Sequence, residues 1–159
     1  MKKLLAATLV AAAATAAYAG PKDITINQMK DLKWTPISPA GDKGPQVSFV
    51  SGDDKTKGFV AFYLKLPAGF KPGPHTHTSD YCSVVVQGTM HDWKTPGTDE
   101  GPAIGPGGSW CQPGGQPHDN DCEASSKDGC IGFVTMPKGF DFKPVVEKKA
   151  PGKEPAPKK

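Results

Sequence analysis

The chain has 159 residues, with 19 lysine and arginine against 16 aspartate and glutamate side chains and a formal net charge of +3. This length corresponds to one domain, and the near balance of charge excludes the basic surface of a nucleic-acid-binding protein. Glycine and proline are abundant, at 19 and 17 residues, and most lie between apolar segments. This distribution predicts many short strands joined by turns and leaves little room for helices.

The first 19 residues are typical of a secretory signal peptide. Lys2 and Lys3 precede an alanine-rich apolar segment, and residues 17–19 read Ala-Tyr-Ala, a small-residue cleavage site. The apolar segment is short for a membrane span. We therefore expect cleavage after residue 19, no membrane span, and a periplasmic or secreted location. The alternative is an uncleaved N-terminal anchor.

Residues 20–45 form a lead-in that we expect to be an arm on the main domain, which spans residues 46–146. Strands are predicted in that domain at residues 46–50, 59–66, 81–87, 89–93, 109–112, 118–122 and 130–136, with a further edge strand near residues 140–146. Short strands at this spacing indicate an all-β barrel or jelly roll. Residues 147–159 are dominated by Pro, Lys, Ala and Gly and are expected to be a disordered tail.

All four cysteines lie in the expected mature domain. An even number of cysteines in an exported chain indicates disulfides, and four cysteines allow three pairings. Cys122 and Cys130 flank a turn-like segment at residues 125–129, so a bridge between them is favoured, which leaves Cys82 with Cys111. A thiolate metal site is the alternative, although the cysteine spacing matches no zinc pattern.

Two histidines, His75 and His77, stand one residue apart in the segment 69–88. In an extended strand alternate side chains share a face, so both imidazoles project the same way, close enough to converge on one metal ion. A third histidine, His118, follows the Gly- and Pro-rich segment 107–117. His91 has the strand parity of Tyr81, so three interpretations are open: it lines the same pocket, acts as a fourth ligand, or lies on the surface.

These two segments resemble the two motifs of the cupin superfamily. Residues 69–88 are similar to the first motif (Gly, five residues, H-x-H, three or four residues, Glu, six residues, Gly). Residues 107–122 are similar to the second (Gly, five residues, P-x-G, two residues, His, three residues, Asn). The chain most resembles the DUF4437 or ChrR-like bacterial cupins. This resemblance implies a double-stranded β-helix, the cupin jelly-roll barrel, with a metal at the barrel mouth.

Carried over position by position, the resemblance implies His75, His77 and His118 as the metal ligands. The glutamate of the family falls on Tyr81 and its asparagine on Cys122, and both are departures. A phenol is a poor ligand at neutral pH unless the metal lowers its pKa, and the neighbouring carboxylate of Asp80 is expected on the opposite strand face. Tyr81 is therefore a candidate catalytic acid or base, and a role in packing alone is the alternative.

Three histidines suit a divalent transition metal ion, with Zn, Fe, Cu, Ni and Mn all open. The sequence thus predicts an exported metal-binding cupin that takes a small-molecule ligand. An oxygenase or related metalloenzyme is one hypothesis, and a non-catalytic module that binds or senses a metal or small ligand is the other. Because cupins resemble one another in often forming dimers, a homodimer is also open.

Overall fold

The computed structural model describes residues 23–97 and 100–145. The expected signal peptide and the expected tail lie outside these residues. Among the described residues, no helix has the length and apolar character needed to cross a bilayer.

The described part of the chain is built almost entirely from strands. Its two helices are single 3-10 turns at Met29–Asp31 and Gly41–Lys43. The strands are β1 Thr35–Pro36, β2 Gln46–Ser51, β3 Val60–Leu66, β4 His75–Thr76, β5 Tyr81–Gln87, β6 Met90–Lys94, β7 Ser109–Gln112, β8 His118–Cys122, β9 Cys130–Met136 and β10 Lys143–Pro144. Each of the seven main strands predicted from the sequence is present, with ends that agree to within about one residue.

The strands form two antiparallel sheets, which confirms the all-β prediction. The larger sheet has the order β1-β2-β3-β9-β5-β7, and the smaller has the order β10-β4-β8-β6. Strand β1, from the N-terminal arm, pairs with β2 at the edge of the larger sheet. Strand β10 pairs with β4, so the segment after residue 139 joins the sheet that carries His75 and His118.

The core lies between the two sheets, and strand alternation decides which side chains enter it. On β5, Tyr81, Ser83 and Val85 are buried, while Val84 and Val86 are exposed. On β3, Phe62 packs against the rings of Phe49 and Phe140, with centroids 5.4 and 5.3 Å apart. The alternation of β5 therefore directs Tyr81 inward.

Both favoured disulfide pairings are confirmed, so no cysteine is available as a thiolate ligand. Cys82 and Cys111 are register partners on neighbouring strands of the larger sheet. Cys122 on β8 is bonded to Cys130 on β9, which clips the smaller sheet to the larger one. This second bridge is buried in the core, with exposed fractions of 1% and 0% for its two residues.

Replacing Cys122 and Cys130 together by alanine is expected to destabilise the protein more than replacing Cys82 and Cys111. Loop-closure entropy alone predicts the reverse order. It gives a stabilisation of about 2.5 kcal/mol for the Cys122–Cys130 bridge, with a sequence separation of 8, and about 3.5 kcal/mol for the Cys82–Cys111 bridge, with a separation of 29. The buried pair also leaves two methyl-sized voids, at about 1 kcal/mol each, which outweighs that difference. Urea unfolding of the two double variants measures the order. A larger loss for Cys82 and Cys111, which are exposed, would contradict the expectation.

Candidate metal centre

The imidazoles of His75, His77 and His118 meet at one point between the sheets. His75 on β4 is the register partner of His118 on β8, and His77 follows β4 directly. The ring centroids lie 4.3 to 5.3 Å apart, and one ring nitrogen of each lies within 4.8 Å of those of the other two. All three rings are buried, with exposed fractions of 2%, 8% and 0%. The structure thus brings the three predicted residues together.

Backbone contacts between the two histidine segments fix their relative position. The N–H of Gly115 donates to the carbonyl of His77 at 2.8 Å, and the N–H of Gly114 donates to the carboxylate of Asp80 at 2.7 Å. A Cβ at Gly114 would lie 2.6 Å from the carbonyl oxygen of Thr78, so only glycine permits this approach. Asp80 is exposed and is not part of the cluster, in keeping with the expectation from strand parity.

The Nδ1 atom of each ring faces a backbone carbonyl oxygen. The acceptors are Gly73 for His75 at 2.8 Å, Gln116 for His118 at 3.1 Å, and Asp141 for His77. Because a carbonyl oxygen only accepts, each Nδ1 must carry the proton. The lone pair of each imidazole is therefore on Nε2, the atom left free to bind a metal. Such an outer hydrogen bond also holds the ring in place.

The three imidazoles are neutral at pH 7. Burial, with a smaller contribution from a neighbouring imidazole, lowers the pKa of His75 and of His118 to about 4. Burial likewise lowers the pKa of His77, despite its bond to the carbonyl of Asp141. Neutral imidazole is the form that binds metal ions.

The segment 140–145 packs against the cluster and supports two of the rings. The ring of Phe142 stacks on His75, with centroids 4.4 Å apart and an interplanar angle of 25°. The carboxylate of Asp141 accepts from the backbone N–H of Thr78 at 2.7 Å and lies 3.1 Å from the ammonium of Lys143. These contacts hold the Asp141 carbonyl against His77.

Tyr81 lies beside the cluster as a neutral phenol. Its hydroxyl is 3.2 Å from Nε2 of His118, and Nε1–H of Trp110 donates to it at 3.2 Å. Because Nδ1 of His118 holds the ring proton, the Tyr81 hydroxyl donates to Nε2. Burial raises the pKa of Tyr81 well above its usual range, and the nearby carboxylate of Asp92 raises it further.

Two polar residues near the cluster were not predicted. Asn120 is buried on β8, two residues from His118, and strand parity alone would have placed it on the same face. Asp92 is its partner on β6, and its buried Oδ1 has no hydrogen-bond partner among the described residues. Burial, with the nearby Asp119, raises the pKa of Asp92 to about 7.

Cys122, at the asparagine position of the motif, is bonded to Cys130 and cannot act as a ligand.

The interpretation of His91 as a fourth ligand is wrong. Its Nδ1 lies 2.8 Å from the carboxylate of Asp121 and its Nε2 lies 3.5 Å from that of Glu123. It therefore contacts acidic side chains on the side of β6 away from the cluster, where its own side chain is 13% exposed. Trp93 is also outside the cluster, with the ammonium of Lys71 at 4.9 Å from its ring centroid.

A cavity of about 290 Å³ opens beside the three-histidine cluster. His75, His77 and Tyr81 line one end, together with Asn120, and Ser38 is the other polar lining residue. The remaining lining side chains are aliphatic or aromatic, and they come from β3, β7, β9 and the segments before β2, before β4 and after β9. The indole N–H of Trp110 on β7 is taken up by the Tyr81 hydroxyl. A small ligand in this cavity would reach the histidine cluster at one end only.

Solved structures with the same fold come from several bacteria. The polyketide cyclase RemF from Streptomyces resistomycificus has a TM-score of 0.59 and 19% identity, over 80% of this chain and 89% of that chain. An RmlC-like cupin from Shewanella frigidimarina has a TM-score of 0.55 and 16% identity, over 74% and 93%. A chain of the Rhodobacter sphaeroides complex of SigE with the anti-sigma ChrR has a TM-score of 0.50 and 20% identity, over 69% and 50%. These likenesses establish the cupin fold.

No curated protein sequence matched the chain. The family model described as "Domain of unknown function (DUF4437)" matches residues 25–158. That range contains both histidine segments and all ten strands. The chain therefore belongs to the DUF4437 family and has a cupin fold, as the two motifs implied.

Proposed function

We propose that this protein is a metal-binding cupin in which His75, His77 and His118 hold one divalent transition metal ion through Nε2. The observation that carries the proposal is the donor set, since three buried imidazoles hold their protons on the outer nitrogens and bring one ring nitrogen each to within 4.8 Å of the other two. Zn, Fe, Cu and Ni suit imidazole ligands, and Mn is the fifth candidate ion named from the sequence.

Among the described residues, no carboxylate joins the cluster, so a bound ion would keep its full divalent charge. Such an ion would supply Lewis-acid polarisation of a ligand oxygen or, if redox-active, oxidation of the ligand by dioxygen. The adjoining cavity gives a small ligand access to the histidines. We therefore propose a metalloenzyme that acts on a small oxygen-bearing molecule, with an oxygenase as one form.

Tyr81 is the proposed proton donor. The lone pair of His118 Nε2 serves one partner at a time, either the Tyr81 hydroxyl or a metal ion. When that lone pair is taken, the hydroxyl needs another acceptor, and it borders the cavity. Its raised pKa keeps the proton on the phenol, so Tyr81 would act as a hydrogen-bond donor or general acid towards the ligand rather than as a ligand of the metal. That RemF, a protein of the same fold, is a polyketide cyclase supports an enzymatic role.

A non-catalytic binding or sensing module is the second candidate. The observation in its favour is that the described cavity lining contains no Asp, Glu or Lys, so no general base other than a histidine is at hand. The match to a structure that contains the anti-sigma ChrR is in keeping with this role. Turnover of a ligand by the metal-loaded protein separates the two candidates.

Export to the periplasm or beyond is part of the proposal. It is supported by the two disulfides, since disulfides persist in oxidising compartments. The motif at residues 17–19 supplies the cleavage site, and N-terminal sequencing of the mature protein tests it.

His77→Ala is expected to lower the affinity for the metal by more than about 100-fold, because loss of an outer-shell partner alone typically costs 10- to 100-fold. The measurement is metal content of the untagged protein, followed by competition with a chelator. His91→Ala is the matched control, since it removes a histidine outside the cluster and should keep full metal content. Equal metal content in both variants would reject His77 as a ligand.

Tyr81→Phe is expected to keep the metal stoichiometry of the parent protein. The change removes only the hydroxyl, which competes with the metal for His118, so the affinity should be equal or slightly higher. Unfolding free energy should fall by about 1 kcal/mol, because the N–H of Trp110 loses its acceptor. Loss of bound metal in this variant would instead make Tyr81 a ligand.

The metal-free protein is expected to lose stability as the pH falls from about 6.5 towards 4. In this interval His75 and His118 are protonated in the unfolded chain but stay neutral in the folded protein, because folding lowers the pKa of each from 6.5 to about 4. Protonation therefore favours the unfolded chain. Each pKa unit corresponds to about 1.4 kcal/mol. Asp92, with its pKa raised to about 7, stabilises the folded protein as the pH falls. Because it is a single group, the effect of the two histidines is expected to be larger.

Urea unfolding of chelator-treated protein at pH 7 and pH 5 measures this effect. Asp92→Asn should steepen the dependence, since it removes the opposing group. A metal-free protein with equal stability at both values would contradict the assignment of buried, neutral imidazoles.

A further inference from the structure

We infer that the ligand of the cavity is a compact, mainly apolar molecule with one oxygen-bearing end, about the size of a substituted aromatic ring. The oxygen-bearing end would lie at the three-histidine cluster, so the inference rests on the proposed function. Polyols, sugar acids and other molecules with several polar or charged groups would be rejected.

The cavity walls away from the histidines offer almost no hydrogen-bonding partners. Phe62, Leu64 and Leu66 on β3, with Val134 and Met136 on β9, form the wall of the larger sheet. A ligand hydroxyl buried against these side chains would lose its water and gain no partner. Such a loss weakens binding by roughly 10- to 100-fold for each group, so a molecule with several hydroxyls is a poor fit.

The cavity also lacks the means to bind a second anionic group. All 19 basic side chains of the chain are lysines, and the sequence contains no arginine, so the two-pronged recognition of a carboxylate by guanidinium is excluded. The described lining contains no lysine either. A metal ion at the histidines would be the sole cation facing a ligand there, which limits the ligand to one anionic or strongly polar end.

The volume limits the size of the apolar part. An engineered apolar cavity of about 150 Å³ binds benzene, and this cavity is about 290 Å³. Its volume is also at the small end of the range for ligand pockets, which starts at about 300 Å³. A single ring with one or two substituents, or an aliphatic chain of the same bulk, would fill it. At the polar end, Tyr81 and Asn120 stand beside the histidines to orient the oxygen.

Three hydroxamates that share a metal-binding end test the inference on Zn²⁺-loaded protein. Isothermal titration is expected to show that benzohydroxamate binds at least tenfold more tightly than acetohydroxamate, because its ring enters the apolar part. Gluconohydroxamate, with a polyol tail, should bind more weakly than acetohydroxamate. Equal affinities for all three, or tightest binding of gluconohydroxamate, would overturn the inference while leaving metal binding intact.

A probe without a metal-binding end separates the cavity from the proposed function. Fluorobenzene should bind the metal-free protein, as followed by ¹⁹F NMR, and benzohydroxamate should displace it from the Zn²⁺-loaded protein. If the protein takes up no Zn²⁺ but binds fluorobenzene, the metal proposal fails and the apolar cavity stands. If fluorobenzene does not bind, the apolar cavity is rejected.

Matched valine variants test whether the preference for benzohydroxamate arises from the apolar cavity wall. Val134→Thr keeps the side-chain shape and adds a hydroxyl to the cavity wall, so it should weaken benzohydroxamate severalfold and leave acetohydroxamate unchanged. Val84→Thr makes the same change on the exposed face of β5 and should alter neither. If Val134→Thr does not fold, Ile37→Ser provides the second variant, since Ile37 lines the cavity but is 38% exposed and tolerates a polar side chain more readily. Equal responses of the two hydroxamates to the cavity variant would refute the inference.

Discussion

Three hydrogen bonds from histidine Nδ1 atoms to backbone carbonyls are the constraint on which the candidate site depends. Backbone oxygens are fixed by the fold, so they set the tautomer and the rotation of each ring without any need for a neighbouring carboxylate. If one acceptor moved, its ring could carry the proton on the inner nitrogen and the lone pair would be lost from the cluster. The tautomers of His75, His77 and His118 thus follow from where the chain turns at residues 73 and 116 and from where it returns at residue 141.

Burial acts on the cluster and on Tyr81 in complementary ways. It lowers the pKa of the imidazoles and raises the pKa of the phenol, because in both cases it disfavours the charged form. The site therefore contains uncharged groups beside an apolar cavity. A cation introduced there would be the dominant local charge, and its attraction for a ligand oxygen would be screened less than at the protein surface.

Much of the fold was predictable, because it follows from local patterns. Alternation along β3 and β5 and the turns between apolar segments place the strands, and the parity of His75 and His77 places two rings on one face. The turn between Cys122 and Cys130 indicated the correct disulfide. These predictions depend on residues close together in the sequence, where strand geometry is nearly invariant.

Of the candidate site, only the side chains at motif positions could be predicted from the sequence. The carbonyl acceptors carry no sequence signature, because every residue has one. Asn120 could have been found from the parity of β8, but the motif directed attention to Cys122 instead. The stacking of Phe142 on His75 and the size of the cavity depend on how distant segments pack, which no local pattern encodes.

The contact between His77 and Asp141 joins residues 64 positions apart, and this separation has a consequence for biosynthesis. A ribosome or a translocation pore releases residue 77 long before residue 141, so the emerging chain contains both His75 and His77 while His77 still lacks its backbone acceptor. Ion selection by the finished geometry can begin only when almost the entire domain has emerged. For an exported chain, the compartment that completes folding would then also be the one whose metal pool fills the centre.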